Sequence, residues 1–101
     1  MTKLRKEYEA AVKALGVDAA RLRASGATAE ELARILHERR QLLVRTFRER
    51  TPEPLRSAIR ARAISIYGDE KGPSIEYLLA RGKSWDEIVV SACRVGAFPW
   101  K

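Results

Sequence analysis

Where the apolar residues of this chain recur, they do so at three- and four-residue intervals, and no stretch of useful length alternates with period two. The first spacing marks a helix with one buried face, the second a half-buried strand. The chain is therefore restricted to helices packed on helices. The clearest run follows Thr28-Ala29-Glu30-Glu31, after which Leu32, Ile35, Leu36, Leu42, Leu43 and Phe47 keep the helical period. Thr28 with Glu31 three residues on fits a capping box, the hydroxyl accepting from one free amide while the carboxylate reaches back to another. Ser84-Trp85-Asp86-Glu87 repeats the device ahead of Ile88, Val89, Ala92 and Val95.

The remaining punctuation predicts further helices. Thr2 caps one that ends at Leu15 with Gly16 as its stop, and Asp18 caps a short second one ending at Ser25-Gly26. Thr51 before Pro52 marks another start, since proline at the first helical position gives up an amide that has no partner there anyway. Leu55, Ala58, Ile59, Ala63 and Ile66 then share a face as far as Gly68. Pro73 opens a short helix with Ile75, Leu78 and Leu79 inward, closed by Gly82; Gly96 ends the last helix, and Phe98-Pro99-Trp100 folds back on the core. A length of 101 residues allows one domain with one modest core. The expected fold is all-α, a single-domain bundle of five or six helices, with residues 1–26 as an N-terminal helical segment and 28–96 as the motif-bearing core. Charges interrupt the first 17 residues and no apolar run reaches membrane-spanning length, so neither a signal peptide nor a span is expected, and the chain reads as cytoplasmic where it is expressed.

The formal net charge of +7 is concentrated. Residues 34–62 hold nine Arg and no Lys against Glu38, Glu49 and Glu53, whereas the flanking segments are close to neutral. Guanidinium groups bind phosphate through a planar fork and stack on bases, which ammonium groups do not. Nucleic acid is the natural partner of such a stretch. An acidic protein is an alternative, and a solvated basic face without a dedicated ligand is the bland one.

Several site types are excluded by motif: there is no Walker A loop, no dinucleotide-binding glycine pattern, no nucleophile elbow and no HExxH. One His and one Cys do not make a zinc site, so no metal and no cofactor are expected. Cys93 beside an apolar stripe reads as a structural thiol that pairs with His37 only if the fold joins them. On a helical wheel His37 lies off the Leu32/Leu36/Leu43 stripe, on a polar face with Arg34, Gln41 and Arg48. A lone imidazole beside several Arg suits general acid–base work on a phosphodiester; an ordinary surface histidine fits the spacing too. Arg39 and Arg62 fall near the centres of apolar stripes, and each then needs a carboxylate, a carbonyl or a solvent-filled cleft. Asp69, Glu76 and Glu38 are the expected partners, and a cleft between the two helices would turn Arg39, Arg40 and Arg62 toward a phosphate. The loop Tyr67-Gly68-Asp69-Glu70-Lys71-Gly72-Pro73-Ser74 gathers a phenol, two carboxylates, an ammonium and a hydroxyl; it also reads as nothing more than a helix stop and a turn.

Residues 28–94 resemble a domain found at the extreme C-termini of bacterial polymorphic toxins of the Rhs and filamentous-haemagglutinin contact-dependent types. The resemblance rests on Tyr67-Gly68-Asp69, on Gly72-Pro73-Ser74-Ile75-Glu76-Tyr77-Leu78, on Gly82-Lys83-Ser84-Trp85-Asp86-Glu87-Ile88, and on Ser91-Ala92 with Arg94. Leu36-His37, Arg39-Arg40 and Thr51-Pro52 add to it. The chain departs from the pattern at Ala63, where asparagine is common, and in a C-terminus poorer in glycine. The resemblance implies a toxic domain delivered by a carrier into a target-cell cytoplasm and paired with a dedicated immunity protein, many such domains being nucleases. The combined expectation is a metal-independent RNase in which His37, Tyr67 and Asp69 handle protons. Arg34, Arg39, Arg40, Arg48, Arg62 and Lys71 would hold nucleic acid, RNA rather than DNA. A non-catalytic nucleic-acid-binding module and an interaction domain for an acidic partner such as an immunity protein are the alternatives.

Overall fold

Residues 2–95 are described by a computed structural model; the Gly96 stop, the return of Phe98-Pro99-Trp100 and any cap by the Thr2 side chain lie outside that description. Five helices follow one another, with no strand among the described residues: α1 (Thr2–Ala24), α2 (Ala29–Glu49), α3 (Leu55–Tyr67), α4 (Ile75–Ala80) and α5 (Trp85–Cys93). No described helix is long and apolar enough to cross a membrane.

Both capping boxes form. Glu31 N–H donates to Thr28 Oγ1 at 3.2 Å and Thr28 N–H to Glu31 Oε1 at 3.0 Å. At α5 the matching distances are 3.1 Å from Glu87 N–H to Ser84 Oγ and 3.0 Å from Ser84 N–H to Glu87 Oε1. The other starts shift. Pro52 does not open α3, which begins at Leu55 behind Pro54. Thr51 closes α2 instead, its buried hydroxyl donating to the Phe47 carbonyl at 2.9 Å. Ser74 caps α4 by accepting from Tyr77 N–H at 3.0 Å, which places Pro73 before the cap rather than in the first turn.

One helix stands where two were expected, because α1 runs straight through Gly16. Leu4, Tyr8, Val12, Leu15 and Ala19 are all buried, at steps of three and four residues, so the stripe keeps its phase across the glycine. Glycine inside a helix costs about 1 kcal/mol relative to alanine, whereas burying a single Leu or Val contributes roughly 1.5–3 kcal/mol. Packing prevails. Asp18, freed from capping, pairs with Arg21 at 3.5 Å and with Arg39 of α2 at 3.4 Å.

The core lies where α1, α2 and α5 meet. Leu15 and Ala19 pack with Leu32, Ala33 and Leu36 and with Ile88, Val89 and Ala92. A second cluster joins Leu4, Tyr8 and Val12 to Phe47, the Tyr8 and Phe47 rings meeting edge to face at 5.3 Å, and Leu43 touches both groups. Of the apolar residues expected inward, Leu42, Ile66 and Leu79 are exposed. No residue of α3 is buried; Leu55, Ile59 and Ala63 are half-covered.

Candidate functional site

His37, Gln41, Val44 and Arg48 succeed one another at three- and four-residue steps and so share one face of α2, displaced from the face that meets α1. Opposite them stand Ile59, Ala63 and Tyr67 of α3. The chain then turns at Gly68, whose φ of 75° is left-handed, and again at Gly72 with φ 89°. Both conformations are costly for any residue with a Cβ, and between them Lys71, Gly72 and Pro73 come down beside α2. Leu78 of α4 and Ile88, Ser91 and Ala92 of α5 complete a cleft of about 370 Å³.

The decisive residue is Arg48. It is only 5% exposed, yet no carboxylate pairs with it among the described residues. Nη1 donates to the Glu70 carbonyl, and Nε, fully covered, has no hydrogen-bond partner. A buried ion without its counter-charge costs several kcal/mol, and a buried donor left unmade a further 1–3 kcal/mol. The sequence placed Arg48 on a polar face; the loop at residues 68–74 folding back over that face is what buries it.

His37 sits at the other end of the same face, half-buried, where the cleft adjoins a smaller one of about 300 Å³ bounded by Arg34, Glu38, Ser74 and Glu76. Burial lowers its pKa from the ordinary histidine value, partly offset by the Pro73 carbonyl and the Glu76 charge. The ring is therefore neutral at pH 7, and its Nε2 is covered and without a hydrogen-bond partner. A neutral imidazole with one nitrogen unengaged is a base in waiting.

Arg40 also borders the cleft, but its donors are committed. Nη1 donates to the carbonyls of Ala92 at 2.8 Å and Arg94 at 2.7 Å; Nη2 donates to Tyr8 Oη at 3.0 Å and the Val95 carbonyl at 3.4 Å. Arg40 is the clamp that holds the end of α5 against α1 and α2. The cation set among the apolar residues of α2 is thus Arg40, not Arg39. One helical step of 100° turns Arg39 toward Asp18, with which it pairs at 3.4 Å, rather than toward the expected partners Asp69, Glu76 or Glu38. Arg62 is exposed on α3, and neither it nor Arg39 lines this cleft.

Tyr67 lines the cleft, with its ring edge-on to Tyr77 at 5.3 Å, and Lys71 lies beside it. Asp69 does not face this space: its carboxylate accepts from Lys71 N–H at 2.9 Å, shaping the loop. Arg34 pairs with Glu30 at 3.1 Å and lies over the Trp85 ring at 5.1 Å, at the rim of the smaller cleft. Cys93 packs against the core beside Arg40, Arg23 and Asp18, and burial raises its pKa; it does not line the cleft that holds His37. Of the expected residues, His37, Tyr67, Arg40, Arg48 and Lys71 come together at one cleft, and Arg34, Arg39, Arg62 and Asp69 lie elsewhere. Sequence reasoning put Gln41 on this face but gave it no part, though its amide donates to the Pro73 carbonyl at 3.4 Å, and it missed the Glu70 carbonyl. Two glycines four residues apart were the available sign that this loop doubles back. Among the described residues, no group of three His, Cys, Asp or Glu could hold a metal ion. Comparison with protein-family models, with curated proteins and with solved structures gives no match.

Proposed function

We propose that this chain is an effector domain acting on nucleic acid, an RNase of the kind carried at the tips of bacterial polymorphic toxins and active in a target-cell cytoplasm. The observation that supports this best is the buried, uncompensated guanidinium of Arg48 in the cleft that also holds His37. Eleven residues separate the two along α2, roughly 16 Å of helix axis, and long side chains lean back toward the N-terminus. That is too far for two groups on one phosphate. Arg48 anchors a phosphate of the strand, and His37 acts at a neighbouring phosphodiester.

RNA is favoured over DNA because it carries its own nucleophile. Once the side chains covering it move aside, His37 Nε2 removes the proton of a ribose 2′-hydroxyl, the 2′-oxygen attacks the adjacent phosphorus, and the bond from phosphorus to the 5′-oxygen breaks. The departing oxygen takes the proton of the Tyr67 phenol, which the His37 proton replaces through water. The products carry a 2′,3′-cyclic phosphate and a 5′-hydroxyl. Lys71 at the cleft mouth balances charge on the phosphoryl oxygens. Inducible expression in a bacterium, with total RNA, tRNA and chromosomal DNA then resolved on gels, tests the reading. Growth arrest with fragments bearing those end groups supports it, and intact RNA in arrested or normally growing cells removes it.

A second reading, binding without cleavage, draws on the half-buried Arg56 and the exposed Arg60 and Arg62 of α3, a helix without an acidic residue. Binding of RNA without loss of RNA or growth would favour it. Affinity that vanishes at physiological salt would instead leave an acidic protein, such as an immunity protein, as the partner.

Arg48 supplies a sharp test. Arg48→Met removes a buried, unpaired charge while keeping an apolar stem; relief of its desolvation cost offsets the lost hydrogen bond to the Glu70 carbonyl. The variant should melt at or above the parent's temperature and yet bind RNA more weakly. Its logarithmic salt dependence should be shallower by about 0.7, the loss of one phosphate contact on a single strand. A variant that unfolds would mean that Arg48 holds the loop rather than a ligand.

A further inference from the structure

The walls of the cleft say which form of nucleic acid it takes. Resting on the reading just given, we infer that the cleft is a subsite for a single unstacked nucleotide, its phosphate on Arg48 and its base against the apolar side. The space is about 370 Å³, at the small end of the range for ligand sites. It suits one nucleotide unit and leaves no room for a base pair. Its buried charged anchor is the Arg48 guanidinium, 5% exposed, with Nε lacking a partner; Arg40, whose donors are committed elsewhere, and the exposed Lys71 and Glu70 also border it. The rest is largely apolar: Val44 from α2, Ile59 and Ala63 from α3, and Leu78 from α4, with the Tyr67 ring at one end.

A site for free inorganic phosphate needs several donors and no apolar slab. A duplex-binding surface needs a broad cationic face and no recess. A buried guanidinium with Lys71 nearby, at the edge of an apolar recess, matches one nucleotide, whose phosphate is ionic and whose base is flat and poorly hydrated on its faces. Bases in loops, bulges and single-stranded ends can enter such a recess, whereas a paired base must first be extruded. The Gln41 amide, now donating to the Pro73 carbonyl at 3.4 Å, and the Ser91 hydroxyl are the polar groups within reach of a base edge. The substrate class is therefore unpaired RNA, cut next to a nucleotide that has been seated in the cleft.

Titration with adenosine and uridine 5′-monophosphates, each nucleoside, and inorganic phosphate, followed by amide NMR of the whole chain, tests the inference. Both nucleotides should shift the amides of residues 63–72 and bind at least about tenfold more tightly than nucleoside or phosphate. Arg48→Met should weaken nucleotide binding by about tenfold or more, and Ala63→Phe should fill the recess and abolish it. Arg45→Ala, an exposed change away from the cleft, should leave it as it is. If Ala63→Phe fails to fold, Arg48→Met alone decides.

Phosphate binding as tightly as nucleotide would overturn the inference, as would nucleotide affinity untouched by Arg48→Met. On a hairpin RNA, cleavage should fall in the loop and run about a hundredfold faster than in the paired stem. Equal cleavage of stem and loop would overturn the subsite while leaving the RNase reading in place. Nucleotide binding with the expected variant effects, but no cleavage of any RNA, would sustain the subsite and remove the RNase reading.

Discussion

His37→Ala should lower the rate of RNA cleavage by about 10²–10⁴, the usual loss for a general base, and should abolish growth arrest on expression. The chain has one imidazole, so no second histidine can take over. The pH profile gives an independent check. Burial holds the folded-state pKa of His37 below the ordinary histidine value, and a general base works only when neutral. The acid limb of kcat/KM should therefore lie below pH 6.5, with cleavage retained as pH falls from 7 toward that value and lost beneath it. A limb at or above the ordinary value would indicate a solvated ring and a different base. Helix content of the variant should match the parent's, so that lost activity cannot be read as lost fold. Full cleavage by folded His37→Ala would move the chemistry to the loop at residues 68–74.

Arg40→Met should be the most destabilising single change on α2 outside the apolar core. It removes four hydrogen bonds that converge on the last turn of α5 and on Tyr8. A hydrogen bond to a charged group contributes about 1.5–3 kcal/mol. Arg40 is half-covered and the Arg94 end is open to water, so part of that sum is recovered by hydration. The expected loss is about 2–3 kcal/mol, which for a domain of this size lowers Tm by roughly 10–20 °C. Arg40→Lys should recover only part of it, because an ammonium cannot reproduce the planar fork that reaches three carbonyls and a phenol. Thermal unfolding followed by circular dichroism reads both variants. A shift of no more than a few degrees in Arg40→Met would show that water replaces the guanidinium at no cost.

What could be read from the sequence follows a physical dividing line. Both capping boxes were legible because the partners lie three residues apart and bond within the chain's own backbone. The sharing of one helix face by His37, Gln41 and Arg48 was legible too, since 100° per residue fixes it. What covers that face was not. Arg48 reads as an outward charge until the loop between Gly68 and Gly72 closes over it, and that is a tertiary event. The exchange of Arg39 for Arg40 has the same origin: they differ by one helical step, and only the position of α5 decides which one is drawn inward. Gly16 misled for a related reason, because a local preference of about 1 kcal/mol yields to a continuous buried stripe. Asp69 carried the right chemistry, but its carboxylate bonds two residues on and turns away from the cleft.

That α3 buries no residue has a consequence for how the protein moves. In native-state hydrogen exchange, elements with little buried apolar surface open far below the global unfolding free energy. Here α1, α2 and α5 share the buried core and α2 carries both His37 and Arg48, while the wall with Ile59, Ala63 and Tyr67 belongs to a helix with no buried residue, whose amides should exchange well below global unfolding. Substitutions in the core should then change global stability, and substitutions in α3 the ease with which that wall opens.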